Sequence, residues 1–178
     1  MKRLSALFNS VNISKERKAA LLDFCKPLGL HFNNLNLLDL AFHHRSSSNE
    51  SHSKKRVNNE RLEFLGDSVL GMVVASFLYE DMEEIQEGEL SKIKAMVVSE
   101  KTLAPIALEI GIDKMLVFGH GEEMSGGRTK PAILADCMEA VIAAYFLDSG
   151  YAAVEKYVLS FIVPEIRKVQ ENKGNRHR

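Results

Sequence analysis

The chain has 178 residues, of which 46% are hydrophobic and 26% charged, with a formal net charge of −1. That is enough for one ordinary domain with a real core, in the composition range of a soluble globular protein. No run approaches the roughly 18–20 apolar residues of a membrane span, the apolar start turns polar at Asn9 and Ser10 too soon for a signal peptide, and the charge balance does not advertise a nucleic-acid partner.

Taken in order, almost every element is a predicted helix. Ser14 suits an N-cap, with Ala19, Leu22 and Phe24 as apolar positions and Pro27 and Gly29 as the stop. Leu35 to Phe42 form a second apolar segment, and Ser46–Ser53 reads as a polar loop. The longest helix is expected over Asn58–Glu80. Gly66 and Gly71 lie inside it, each costing about 1 kcal/mol against Ala, so close packing of another backbone is the expected reason for them. Glu87 to Ser91 leads into Ile93–Val97, and Ser99 could cap a helix running to Gly111, with Pro105 tolerated only near its start. Gly119–Arg128 is loop-like. Pro131 suits a first-turn position of a helix ending before Gly150, and a last amphipathic segment spans about Ala152–Glu171, with a kink expected at Pro164. No repeat and no sustained strand alternation is present. The expected architecture is a compact all-α bundle, with Met72 and Met96 on its apolar faces.

Cys25 and Cys137 sit in helical patterns far apart and read as structural thiols of a reducing cytosol. Basic residues concentrate in residues 45–61 and in the tail from Arg167 to Arg178. Solvated segments and phosphate contacts are both open readings of those clusters.

The chemistry lies in two acidic patches. Glu63 and Asp67 are four apart, and Asp136 and Glu139 three apart, so each pair shares one helix face. Each interrupts an apolar stripe, continued by Leu70 and Val74 in the first and by Ala140, Ala143 and Leu147 in the second. A carboxylate entering a core must be paired, protonated or bound to metal. Neither stripe offers an obvious Lys or Arg, and oxygen ligands without His or Cys suit Mg²⁺, with Mn²⁺ as a substitute. Facing one another, the patches would surround one cavity fit for divalent-ion phosphodiester hydrolysis. The glycines of 119–127 lack the Walker pattern, so no nucleotide cofactor is expected. A di-iron bundle would need Glu-x-x-His, where this chain has Asp-x-x-Glu. His43 and His44 read as structural, with His44 or Arg45 bonding near a helix end or touching phosphate.

Asn59-Glu-Arg-Leu-Glu-Phe-Leu-Gly-Asp-Ser-Val-Leu70 closely resembles the signature segment of the ribonuclease III family. His44-Arg-Ser46, Glu87-Gly-Glu-Leu-Ser91, Ser125-Gly-Gly-Arg128 and Ile133-Leu-Ala-Asp-Cys-Met-Glu-Ala140 follow in the family's order. The resemblance implies a nuclease domain over residues 15–170, with 1–14 an N-terminal extension and 171–178 a basic tail or the start of a linker. It implies Glu63, Asp136 and Glu139 as Mg²⁺ ligands, Asp67 and Glu139 as catalytic, Glu60 and Glu87 as secondary cleft acids, and Phe64 at a homodimer interface. The implied activity is cytoplasmic cleavage of double-stranded RNA, not DNA, with no membrane partner. Its products would be 5′-phosphate and 3′-hydroxyl ends with short 3′ overhangs, and its substrates ribosomal RNA precursors and other structured RNAs. A non-cleaving RNA-binding scaffold of the same fold is the alternative. Bacterial members usually carry a double-stranded-RNA-binding domain next. A chain ending at Arg178 would bind more weakly and be more sensitive to salt.

Overall fold

A computed structural model describes residues 12–49 and 57–174. Its helices are α1 (Lys15–Cys25), α2 (Leu35–Ala41), α3 (Arg45–Asn49), α4 (Glu60–Asp81), α5 (Glu87–Val97), α6 (Glu100–Glu109), α7 (Ile112–Met115), α8 (His120–Met124), α9 (Pro131–Ser149) and α10 (Tyr151–Gly174). Short 3₁₀ turns occupy Lys26–Leu28 and Gly127–Thr129. Among the described residues no strand forms, and His43 and Val117 make an isolated bridge. The fold is all-α, as expected. Residues 1–11, 50–56 and 175–178 lie outside the described residues, and with them most of the N-terminal extension, part of the basic segment and the tail end.

At the centre is α9. Leu134, Cys137, Met138, Val141, Ile142 and Tyr145 are buried around it, together with Ala135, Ala140, Ala143 and Ala144. A helix apolar all round is a core helix. Its small residues let neighbours come close; α4 packs along it most extensively, then α6, α2 and α10. Pro131 opens it at the first turn, where a missing N–H costs nothing.

The N-terminal part is fixed by polar contacts. Ser14 accepts a hydrogen bond from the Arg17 amide and caps α1, and Gly29, at φ 66°, closes the following turn. The buried face of α1 is Leu21, Phe24 and Cys25, whereas Ala19 and Leu22, expected inward, are exposed. Asp39 on α2 is buried and receives Arg17 Nε at 2.7 Å and His43 Nε2 at 3.1 Å. Arg17 also donates to the Met115 carbonyl at 3.0 Å. Burial alone would raise the pKa of Asp39, but the hydrogen bonds from His43 and Arg17 outweigh it and hold the carboxyl below its ordinary range.

Several local expectations are corrected. Ser46–Asn49, part of the expected 46–53 loop, belong to the short helix Arg45–Asn49, whose Ser47 and Ser48 hydroxyls bond back to the His44 and Arg45 carbonyls. Within the expected 119–128 loop, α8 and a 3₁₀ turn form, and Arg128 pins them by donating to the Asp113 and Leu116 carbonyls and to Glu123. Pro105 is the sixth residue of α6 rather than near its start. Both it and Lys101, whose carbonyl loses its donor, are exposed, so water can satisfy that group. Helix α10 runs through Pro164.

Met72 and Met96 are not core residues. Phe64, Met72 and Tyr79 are 79%, 59% and 77% exposed and form, with Ser68 and Ala75, one stripe along the outer face of α4. Met96 is also largely exposed. Helix α4 is, by length and composition, apolar enough to cross a membrane, which counting unbroken apolar runs does not register. Its apolarity has two destinations: an inner face in the core and this outer stripe.

Candidate metal centre

The inner face of α4 positions the site. Leu62, Gly66, Val69, Leu70, Val73 and Val74 are buried against the core. At Gly66 the approach to α9 is so close that an added Cβ would overlap the Glu139 carbonyl oxygen and stand 2.5 Å from the carbonyl carbon. Close backbone packing therefore explains Gly66, which lies between Glu63 and Asp67 in sequence and brings them beside Glu139. It does not explain Gly71, where an added Cβ would make ordinary contact with the Lys94 side chain. The start of α4 is tied down by buried Asn59, whose side chain donates to the Ala41 carbonyl at 3.0 Å and whose amide donates to His43 at 2.9 Å.

Across this contact, carboxylate oxygens of Glu63, Asp136 and Glu139 all lie within 4.8 Å of one another. Two helices far apart in sequence thus supply one acidic group. Asp67, one turn further along α4, is exposed and outside that tight set, yet its charge reaches both Glu139 and Glu63. None of these four carboxylates makes a salt bridge among the described residues.

The electrostatics follow from that crowding. Desolvation, then the charges of Asp67, Asp136 and Glu63, push Glu139 up to about 8. Burial, then Asp136, Glu60 and Asp67, raise Glu63. Asp136 is raised by desolvation and by Glu100, against a smaller opposing effect of Arg45. Three hard oxygen donors, half-desolvated and mutually repelling, form a ligand set that a divalent cation would relieve. Mg²⁺ and Mn²⁺ both suit such a set.

The remaining candidates separate. Glu60, with Glu63 and Asp136, lines a cavity of about 400 Å³ beside the acidic group, and approaches Arg45 to 3.8 Å. Glu87 instead accepts a hydrogen bond from Ser91 in the first turn of α5; it belongs neither to the tight set nor to that cavity. Phe64 points away from the acids into the outer stripe. His43 braces Asp39. Cys137 is fully buried, its thiol donating to the Ala41 carbonyl at 3.3 Å and pushed upward in pKa by desolvation; Cys25 is raised to about 11 by the same cause. Sequence reasoning missed Glu100, Glu122 and Lys130. The signal for Glu100 was available, since it opens the helix that Ser99 precedes.

The fold and its centre define a helical domain with an all-carboxylate group of the kind that can hold a hard divalent cation. A family model described as Ribonuclease-III-like matches residues 34–166, and the chain belongs to that family. A Ribonuclease 3 from Treponema denticola is 57% identical over 161 residues, covering 90% of this chain and 65% of the relative. That of Treponema pallidum is 49% identical over 161 residues, covering 89% and 63%. The chain therefore spans somewhat less than two thirds of these curated relatives. Among solved structures, a ribonuclease III nuclease domain from Campylobacter jejuni, described for flexibility in a region involved in dimer formation, matches with a TM-score of 0.73 and 38% identity. The match covers 80% of this chain and 95% of that one.

Proposed function

We propose that this chain is the nuclease part of a divalent-cation-dependent endoribonuclease that cuts both strands of double-stranded RNA as a homodimer. The observation that carries the reading is the convergence of Glu63, Asp136 and Glu139 within 4.8 Å. Relatives named Ribonuclease 3 over most of the chain supply the reaction class.

Glu63, Asp136 and Glu139 would hold Mg²⁺, or Mn²⁺ in its place. When bound, the ion supplies Lewis-acid stabilisation of charge developing on the scissile phosphodiester and a more acidic attacking water. Glu139 must surrender its proton to act as a ligand. Asp67, exposed beside it, is the second catalytic assignment, and Glu60 extends the acidic wall. Among the described residues one such centre forms per chain, so cutting two strands would use two chains. The apolar outer stripe of α4 with Phe64 suits that pairing, because an isolated chain leaves it in water. A pair would release short duplex products with 5′-phosphate and 3′-hydroxyl ends and short 3′ overhangs. Cytoplasmic processing of ribosomal RNA precursors and messenger RNAs is the matching cellular role.

The deciding experiment is digestion of a long RNA duplex with Mg²⁺ and with chelator, alongside duplex DNA and the Glu139→Ala variant. The proposal expects cleavage only of RNA, only with metal, and none by the variant, whose dimerisation by light scattering stays unchanged. Binding of duplex RNA without any turnover would establish the scaffold alternative instead.

A further inference from the structure

The cavity beside the acidic group is chemically mixed. Its lining combines the acids Glu60, Glu63, Asp136 and Glu122 with His44, Arg45 and Lys130. These three side chains reach it from separate places: His44 and Arg45 from the start of α3, Lys130 from the residue preceding α9.

Three arginines outside this cavity are closely paired. Arg17 meets Asp39 at 2.7 Å, Arg128 meets Glu123 at 2.6 Å, and Arg167 meets Asp81 at 2.7 Å. Arg45 differs. Its nearest carboxylate, Glu60, is 3.8 Å away, beyond hydrogen-bond reach, and both side chains are more than half exposed. Lys130 is bonded to Glu122 and to Ser125, but an ion pair this exposed is worth little and exchanges readily for a better anion. The imidazole of His44 is oriented as well. Its Nδ1 accepts from the Ser46 amide at 3.2 Å and lies 2.8 Å from the Ser46 hydroxyl, which in turn receives the Gly119 amide at 3.0 Å. With Nδ1 used as an acceptor, the neutral ring carries its hydrogen on Nε2 as a donor.

We infer that the basic part of this lining is a phosphate subsite. Arg45 and Lys130 are positioning residues, assisted by His44, for a non-scissile phosphodiester next to the one being cut, on the same strand. The inference rests on the RNA-cleavage reading and adds to it the residues that set the register of the strand. An all-acid centre repels a polyanion until cations fill it. A bidentate guanidinium and a flexible ammonium alongside would hold the strand while the acids keep the metal. The cavity, at about 400 Å³, falls in the range of ordinary ligand pockets.

The test uses the full chain, Mg²⁺ and a short RNA duplex, with a matched duplex carrying one uncharged methylphosphonate linkage beside the cleavage position. Arg45→Ala and Lys130→Ala should each raise KM about tenfold with kcat changed far less. Each should also make the dependence of log(kcat/KM) on log[salt] shallower by about one. Arg45→Lys should recover part of the loss. The neutral linkage should penalise the unaltered chain by a similar factor, and the variants by little more than they have already lost. Mn²⁺ titration should show the acidic centre intact in both variants, and Lys168→Ala, on distant α10, should match the unaltered chain throughout. Unchanged KM in both alanine variants, or a methylphosphonate penalty that persists in full in them, would overturn the subsite. Absence of any RNA cleavage by the unaltered chain would remove the nuclease reading itself, and this inference with it.

Discussion

Asp39 and Glu139 are both carboxylates drawn toward the core, and they respond in opposite directions. Asp39 is enclosed by Arg17 and His43 and is held below its ordinary range, whereas Glu139 is surrounded by Glu63, Asp67 and Asp136 and rises to about 8. Burial pushes both upward; the sign is decided by the neighbours. A buried acid that the fold has neutralised is a brace between elements. One left among its own kind stores an affinity for something not yet present. The two regions lie at opposite ends of this same logic.

The difference can be broken from either side. The largest effect should come from removing a ligand: Glu139→Gln should lower RNA cleavage by at least about 100-fold, since loss of mere supporting contacts around a metal costs 10–100-fold. The same change should leave the metal-free protein as stable as before or more so, because it deletes repulsion, and thermal melts with and without Mg²⁺ would show the split. On the other side, Arg17→Ala should cost about 3 kcal/mol in chemical denaturation by stranding buried Asp39. Gly66→Ala should cost about 2 kcal/mol despite the better helix former, because its methyl meets the backbone of α9. It should weaken Mn²⁺ binding too, since it separates Glu63 from Glu139.

Acidity offers a finer measure. A raised carboxyl is more protonated folded than unfolded, so Glu139 makes the metal-free protein less stable as pH rises from the ordinary carboxylate range to about 8, and level beyond. Asp39, depressed, contributes stability above that range, lost as pH falls through its folded value. Metal affinity, measured by calorimetry, should climb about tenfold per pH unit below 8 as one proton is displaced, then flatten. Glu139→Gln should abolish that slope and leave the acid-side loss of stability untouched.

How much of this was legible beforehand follows a physical divide. Helix positions and the all-α class were readable, because capping by Ser14, the proline opening α9 and the glycine closing the turn after α1 are local signals. The acid pairs were readable because spacing of three and four places residues on one face. Which face points inward was harder. Met72 and Leu22 obey helical periodicity as well as Val73 and Leu21 do, and only tertiary packing distinguishes them. The Arg17–Asp39–His43 brace was invisible, since Arg17 and Asp39 are 22 positions apart and no local pattern joins them. Lys130 was missed for the same reason.

The glycine at position 66 has a kinetic corollary. With α4 and α9 in backbone contact, the axis spacing beneath the carboxylates is fixed by main chain rather than by compressible side chains. Ions held there would then enter and leave by rotation of the Glu63, Asp136 and Glu139 side chains, not by parting of the helices. Side-chain rotation is a fast, low-amplitude motion, whereas sliding packed helices is slow and collective. Cation exchange at such a centre would thereby be uncoupled from breathing of the core.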